Sequence, residues 1–189
     1  MPKLALAGVW GLLLVISGSC TSSKPLSAKP AEAPFYKQLQ AYCGQKLSGQ
    51  VLYPAGKEAP FQGMKIWLEV AQCNQKEIRM PIYINEKIYR TLILSQDQSN
   101  YILRHENKRS DGTQAEISMY GGQTDGKKDA FLLLFPADGY SRQLLGAELN
   151  YAWSLAFTSD KSTLSYMIEN NGKLTLQIDF DLSPVAAFR

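Results

Sequence analysis

Apolar and polar residues alternate with a period of two along most of this chain. The clearest run lies near the C-terminus, where Leu174, Leu176, Ile178 and Phe180 fall on one side of an extended segment and Thr175, Gln177, Asp179 and Asp181 on the other. Ile66, Leu68 and Val70 alternate in the same way with Trp67, Glu69 and Ala71, and Ile78, Met80, Ile82 and Ile84 with Arg79, Pro81, Tyr83 and Asn85. Such a period predicts strands with one buried and one wet face. Similar runs occupy residues 47–53, 88–95, 100–107, 115–120, 130–135, 151–157 and 163–168. The run at 151–157 has a large row (Tyr151, Trp153, Leu155, Phe157) and a small row (Ala152, Ser154, Ala156), and either row could line the inside of a barrel. Turn formers punctuate the pattern at Asp111-Gly112, Gly121-Gly122, Asp125-Gly126, Asp138-Gly139 and Asn170-Asn171-Gly172.

Only two stretches carry a helical spacing. Residues 35–43 place Phe35, Tyr36, Leu39 and Tyr42 on one face, with Pro34 ahead of them and Gly44 behind; residues 140–148 form the second. The expectation is an all-β domain over residues 35–189, an antiparallel meander with one or two short helices. Closure into a β-barrel of lipocalin or calycin kind is preferred over a β-sandwich. The Gly-x-Trp signature of true lipocalins is missing, because Gly63 lies four residues before Trp67. The analogy is therefore one of architecture.

The N-terminus follows different rules. Lys3, an uncharged run over residues 4–16 and the small residues Ser17-Gly18-Ser19 have the three parts of a secretory signal, predicted here over residues 1–19. The apolar run is shorter than the roughly 20 residues a spanning helix needs. Ser17-Gly18-Ser19-Cys20 resembles the lipobox of bacterial lipoproteins, with Ser17 where Leu is commoner. The resemblance implies cleavage before Cys20 and lipid on its sulfur; the plainer alternative is an ordinary signal with a chance cysteine. Acyl chains contribute about 0.8 kcal/mol per buried methylene, so a multiply acylated Cys20 would anchor the chain stably. Residues 20–34 are rich in Pro, Ser, Ala and Lys and read as a disordered tether, roughly 40 Å long when extended. Thr21, where an Asp would favour inner-membrane retention, leans the expected location to an outer membrane, facing periplasm or surface.

Charge narrows the partners. Twenty basic and 17 acidic residues among 189 leave a net +3, and the basic residues are scattered. Nucleic acid needs a concentrated basic face and is not an expected partner. The expected partners are the membrane through the anchor, and a small apolar ligand or an envelope protein. After Cys20 only Cys43 and Cys73 remain, and an exported chain with two further cysteines invites one disulfide. Closing its loop of about 30 residues would contribute on the order of 3 kcal/mol. One histidine and no Cys-x-x-Cys argue against a metal site, and no glycine-rich phosphate or dinucleotide fingerprint points to a cofactor.

His105 is the only histidine. It shares a strand face with Tyr101 and Leu103 and could bind a ligand or carry a proton; its plainer reading is a half-exposed strand residue near a hairpin end. A Ser-His-Asp site would have to use it, and no Gly-x-Ser-x-Gly elbow is present.

A set of short motifs occurs in a fixed order: Tyr42-Cys43-Gly44-Gln45, Phe61-x-Gly63, Cys73, Glu77-Ile78-Arg79-x-Pro81, Arg90-Thr91, Leu103-Arg104-His105-Glu106, Asp111-Gly112, Tyr120-Gly121-Gly122-x-Thr124, Phe135-Pro136-Ala137-Asp138 and Phe180-Asp181-Leu182. This order resembles a family of small secreted bacterial proteins of uncharacterised function. The resemblance implies that Cys43 and Cys73 belong to one framework. It singles out Arg90, Arg104, His105, Glu106, Asp111 and Tyr120 as a candidate ligand-binding cluster. The same residues could instead form a salt-bridge network that holds the sheet. The leading expectation is an envelope lipoprotein whose barrel binds a small apolar molecule, a lipid or an envelope partner. The alternatives are an envelope hydrolase using His105 with nearby carboxylates, and a structural or assembly lipoprotein.

Overall fold

Among the described residues, eleven strands in one antiparallel sheet account for most of the domain. The computed structural model describes residues 34–56, 60–97, 100–126 and 129–183. The predicted signal segment, Cys20 and the tether up to residue 33 lie outside the described residues. The elements are α1 (Phe35–Gln40), β1 (Lys46–Tyr53), β2 (Ile66–Glu69), β3 (Gln72–Cys73), β4 (Glu77–Ile84), β5 (Lys87–Gln96), β6 (Tyr101–Glu106), β7 (Tyr120–Gln123), β8 (Leu132–Pro136), α2 (Gly139–Leu145), β9 (Tyr151–Phe157), β10 (Thr163–Asn170) and β11 (Lys173–Asp181). Among the described residues no helix is long and apolar enough to cross a membrane.

Neighbours in space are nearly always neighbours in sequence. The strands run β7-β6-β5-β4-β2-β1-β11-β10-β9-β8, with the two-residue β3 set aside against β4. The first and last strands pair antiparallel, Gly49 opposite Phe180 and Val51 opposite Ile178. The β10–β11 hairpin turns at Asn171 and Gly172, both with positive φ (51° and 71°), as the tight turn after Asn170 requires. The ends of the order, β7 and β8, are brought together where Gly122 bridges Ala137, the residue that follows β8. The result is a nearly closed barrel, the expected all-β meander.

Strand alternation decides which side chains fill it. Leu176, Ile178 and Phe180 are buried, as are Leu68, Ile78, Met80 and Ile82. On β9 the large row turns inward: Trp153 and Leu155 are sealed from solvent, while Ala152 and Ala156 on the small row are partly exposed. Helix α1 adds to the same core. Pro34 opens it with its carbonyl accepting from the Lys37 and Gln38 amides at 2.9 and 3.1 Å, and Phe35, Tyr36 and Leu39 are all buried. Phe35 packs on Phe157 at 4.5 Å between ring centroids, and Tyr36 stacks on Tyr101 at 6.1 Å. Three such side chains contribute roughly 1.5–3 kcal/mol each, so α1 is held by packing rather than by its two turns of hydrogen bonds. The expected disulfide is present between Cys43 and Cys73, with Cα atoms 6.1 Å apart. It ties the turn after α1 to β3.

Two sequence expectations are corrected. Residues 115–119 do not form a strand; the strand is Tyr120–Gln123 and runs through Gly121-Gly122, where a turn was expected. Met119, at φ 58°, breaks the extended path just before it. Asp138-Gly139 is likewise no hairpin turn: the Asp138 carboxylate accepts from the Ser141 amide at 2.8 Å and starts α2.

Candidate functional site

The seam of the barrel explains much of the motif order. A Cβ added at Gly122 would lie 1.9 Å from the Pro136 carbonyl oxygen, and one at Gly121 would lie 1.8 Å from the Leu103 oxygen. The two glycines are therefore what lets β7 slot between β6 and the Phe135–Asp138 segment. The Asp138 amide donates to the Gly121 carbonyl at 3.1 Å, and the Ala137 amide to Tyr151 at 2.9 Å. Ser141 on α2 is fully buried here; its hydroxyl accepts from the Gly121 amide and donates to the Gly121 carbonyl, both at 2.7 Å. Arg104 reaches from β6 to the second oxygen of Asp138 at 2.5 Å. The Asp138 carboxyl lies below the usual carboxylate range: burial pushes it up, and the Ser141 amide and Arg104 together outweigh that.

The six residues of the candidate cluster divide into separate places. Arg104 belongs to this seam. Glu106, on the same outward row of β6, binds Arg79 at 2.7 Å, with Lys108 at 3.7 Å. Asp111 sits in an exposed hairpin loop, where it accepts from the Thr113 amide and hydroxyl at 2.9 and 2.7 Å. Those hydrogen bonds hold its carboxyl below the ordinary value. Only Arg90, His105 and Tyr120 come together, and they do so inside the barrel.

His105 is not half-exposed, as its plainer reading had it; it is fully buried, inward of β6 with Tyr101 and Leu103. Its ring stacks on Tyr120 at 4.8 Å and lies 5.0 Å from Trp153. Nδ1 is 3.1 Å from the Tyr120 carbonyl, and Nε2 is 2.8 Å from the Tyr166 hydroxyl on β10. A carbonyl only accepts, so Nδ1 carries the proton and Nε2 receives the Tyr166 hydroxyl. That second bond spans the barrel from β6 to β10. Burial pushes the imidazole down to about 3, with the Arg90 charge adding to the effect and the Tyr120 carbonyl opposing it. Burial likewise raises the Tyr166 phenol well above its usual value. His105 is thus a neutral bridging group, and none of its hydrogen bonds reaches a carboxylate.

Arg90 enters the same belt from β5. Its Nη1 faces the Tyr166 hydroxyl at 3.5 Å and its Nη2 donates to Tyr89 at 2.5 Å. The guanidinium carbon lies 4.3 Å from the Tyr89 ring centre. Its Nε is shut from solvent without a hydrogen-bond acceptor. Sequence reasoning missed Tyr89 and Tyr166 as members of this group. Alternation marks Tyr166 as inward-facing beside Leu164, but the chemistry comes from its partner on a strand 61 residues away.

The belt offers one fixed cation, neutral hydroxyls and aromatic faces. It lacks the nucleophile–base–carboxylate relay of acyl transfer, and among the described residues no group of three or more His, Cys, Asp or Glu is placed to hold a metal. No protein-family model, no curated protein and no solved structure matches this chain.

Proposed function

We propose that this chain is a lipid-anchored envelope protein whose barrel binds a small, largely apolar molecule at the end that holds Arg90, without transforming it. The observation that carries this reading is the interior belt of Arg90, His105, Tyr120, Trp153 and Tyr166. Ligand sites are mostly apolar and aromatic, with a few fixed polar groups that set orientation. Here aromatic rings surround one guanidinium whose hydrogen-bonding capacity is not used up by the described residues. The anchor is supported by the lipobox-like Ser17-Gly18-Ser19-Cys20 and the polar tether. The Cys43–Cys73 disulfide is in keeping with an exported chain.

Trp153 is buried beside His105 and reports on the belt directly. In a Trp67→Phe background its emission should shift on titration with hexadecanoate or hexadecanol. Native mass spectrometry of the protein from membranes should show a retained small molecule besides the acyl groups. A protein that retains nothing, and whose Trp153 emission ignores both probes, overturns the binding role.

A further inference from the structure

We infer that the ligand of this barrel end carries a carboxylate on an apolar chain, and that Arg90 receives it; the inference rests on the binding role proposed above. The starting point is a contrast among the described arginines. Arg79 binds Glu106 and Arg104 binds Asp138. Arg109 donates to the Gln114 carbonyl at 2.6 Å, and Arg142 to the Ala137 carbonyl at 2.7 Å. Each has a strong acceptor at short range. Arg90 has only tyrosine hydroxyls, one of them at 3.5 Å, and its Nε–H points at no acceptor while closed to water. Among the described residues no carboxylate lies within ion-pair distance of it. A cation largely withdrawn from water needs an anion or a full set of hydrogen bonds, and among the described residues Arg90 has neither.

The charge count sets the class of anion. His105 is neutral, because full burial and the neighbouring Arg90 charge disfavour a second proton, and its two nitrogens then meet a carbonyl and the Tyr166 hydroxyl. The belt therefore holds one positive charge, which one negative charge balances. A carboxylate is a monoanion whose two oxygens match the planar fork of a guanidinium. The Tyr166 proton is already given to His105. The Tyr89 oxygen accepts from Arg90, so its own proton remains to meet the second carboxylate oxygen. The tail follows from the rim. Ile88 and Tyr89, which flank Arg90 on β5, are 57% and 38% exposed, and Phe61 leans edge-on against Tyr89 at 5.0 Å, with Met64 exposed nearby in the chain. This is an apolar border around a buried charge, suited to a molecule of the fatty-acid class.

The test compares two probes with the same tail. The full lipidated chain, reconstituted in phosphatidylcholine vesicles, is titrated with hexadecanoate and with hexadecanol, read by Trp153 emission in the Trp67→Phe background. The carboxylate should bind at least about tenfold more tightly than the alcohol, the scale of a hydrogen bond to an ionised partner. Arg90→Met should erase that preference, bringing the affinities for the two probes to within about threefold of each other. With no ligand present, Arg90→Met should melt no lower than the parent, since it removes a largely desolvated charge that has no anionic partner among the described residues. Arg90→Lys, which keeps the charge but not the fork, should retain a reduced preference and guards against a misfolded Met variant. Equal affinity for the two probes overturns the inference and leaves the binding role standing. A preference that survives in Arg90→Met overturns the assignment to Arg90. Failure to bind either probe overturns both.

Discussion

Acid should destabilise this protein through His105, and the size of the effect follows from where the ring sits. In the unfolded chain a histidine titrates near its ordinary value of about 6.5. In the folded barrel burial and the Arg90 charge hold His105 down at about 3. Between these values only the unfolded chain takes up the proton. The stability contributed by a neutral His105 is therefore complete above the unfolded value and is lost as pH falls toward the folded one. At about pH 5 the unfolded chain gains a factor of about 30 in protonated over neutral histidine, which amounts to about 2 kcal/mol relative to about pH 7.5. That figure needs only that the folded ring stay neutral at the lower pH. The assay is urea unfolding of the parent and of His105→Gln at both values. Carboxylates held low in the fold, Asp138 among them, titrate in both proteins and cancel in the comparison. The parent should lose about 2 kcal/mol more than the variant on acidification. Equal losses would show that His105 takes up a proton as readily in the fold as outside it, and the buried, neutral bridge to Tyr120 and Tyr166 would be wrong.

Two further predictions test the frame around the belt. Replacing Cys43 and Cys73 together by Ser should lower the unfolding free energy by about 3–4 kcal/mol, the loop-closure value for the 30-residue separation; a urea curve unchanged by reducing agent would contradict it. Gly122→Ala should cost roughly 1–3 kcal/mol or prevent folding, because its Cβ meets the Pro136 backbone. Gly139→Ala, whose Cβ meets nothing within 4 Å, should stay within about 0.5 kcal/mol of the parent in the same melts.

The motif residues show how far pattern reading reaches toward a site. Arg104, His105 and Glu106 are consecutive and polar, and as a string they look like one cluster. On a strand they cannot be: Arg104 and Glu106 leave by the outer face toward Asp138 and Arg79, while His105 goes inward. Asp111 stayed in its own loop because its carboxylate is used up by the Thr113 amide and hydroxyl. Gly121-Gly122 was read as a turn because glycine pairs usually are. Its true role, close approach of Leu103 on one side and Pro136 on the other, involves backbones that are distant in the chain.

Local pattern alone determined most of the strands and α1, because a period of two or of 3.6 is set by backbone geometry and by the need to hide apolar side chains from water; it read β7 as a turn and left open which row of β9 faces inward. It also paired Cys43 with Cys73, since no third cysteine competes within the domain. Only the tertiary structure decided that β7 and β8 meet across a glycine seam, and that Arg90, His105 and Tyr166 share one interior. Those facts depend on which strands face each other across a nearly closed barrel. A contact between residues 61 or 76 positions apart leaves no periodic trace in either segment. The unpaired charge of Arg90 is invisible in composition for the same reason, because it exists only once the fold has placed the carboxylates of the described residues elsewhere.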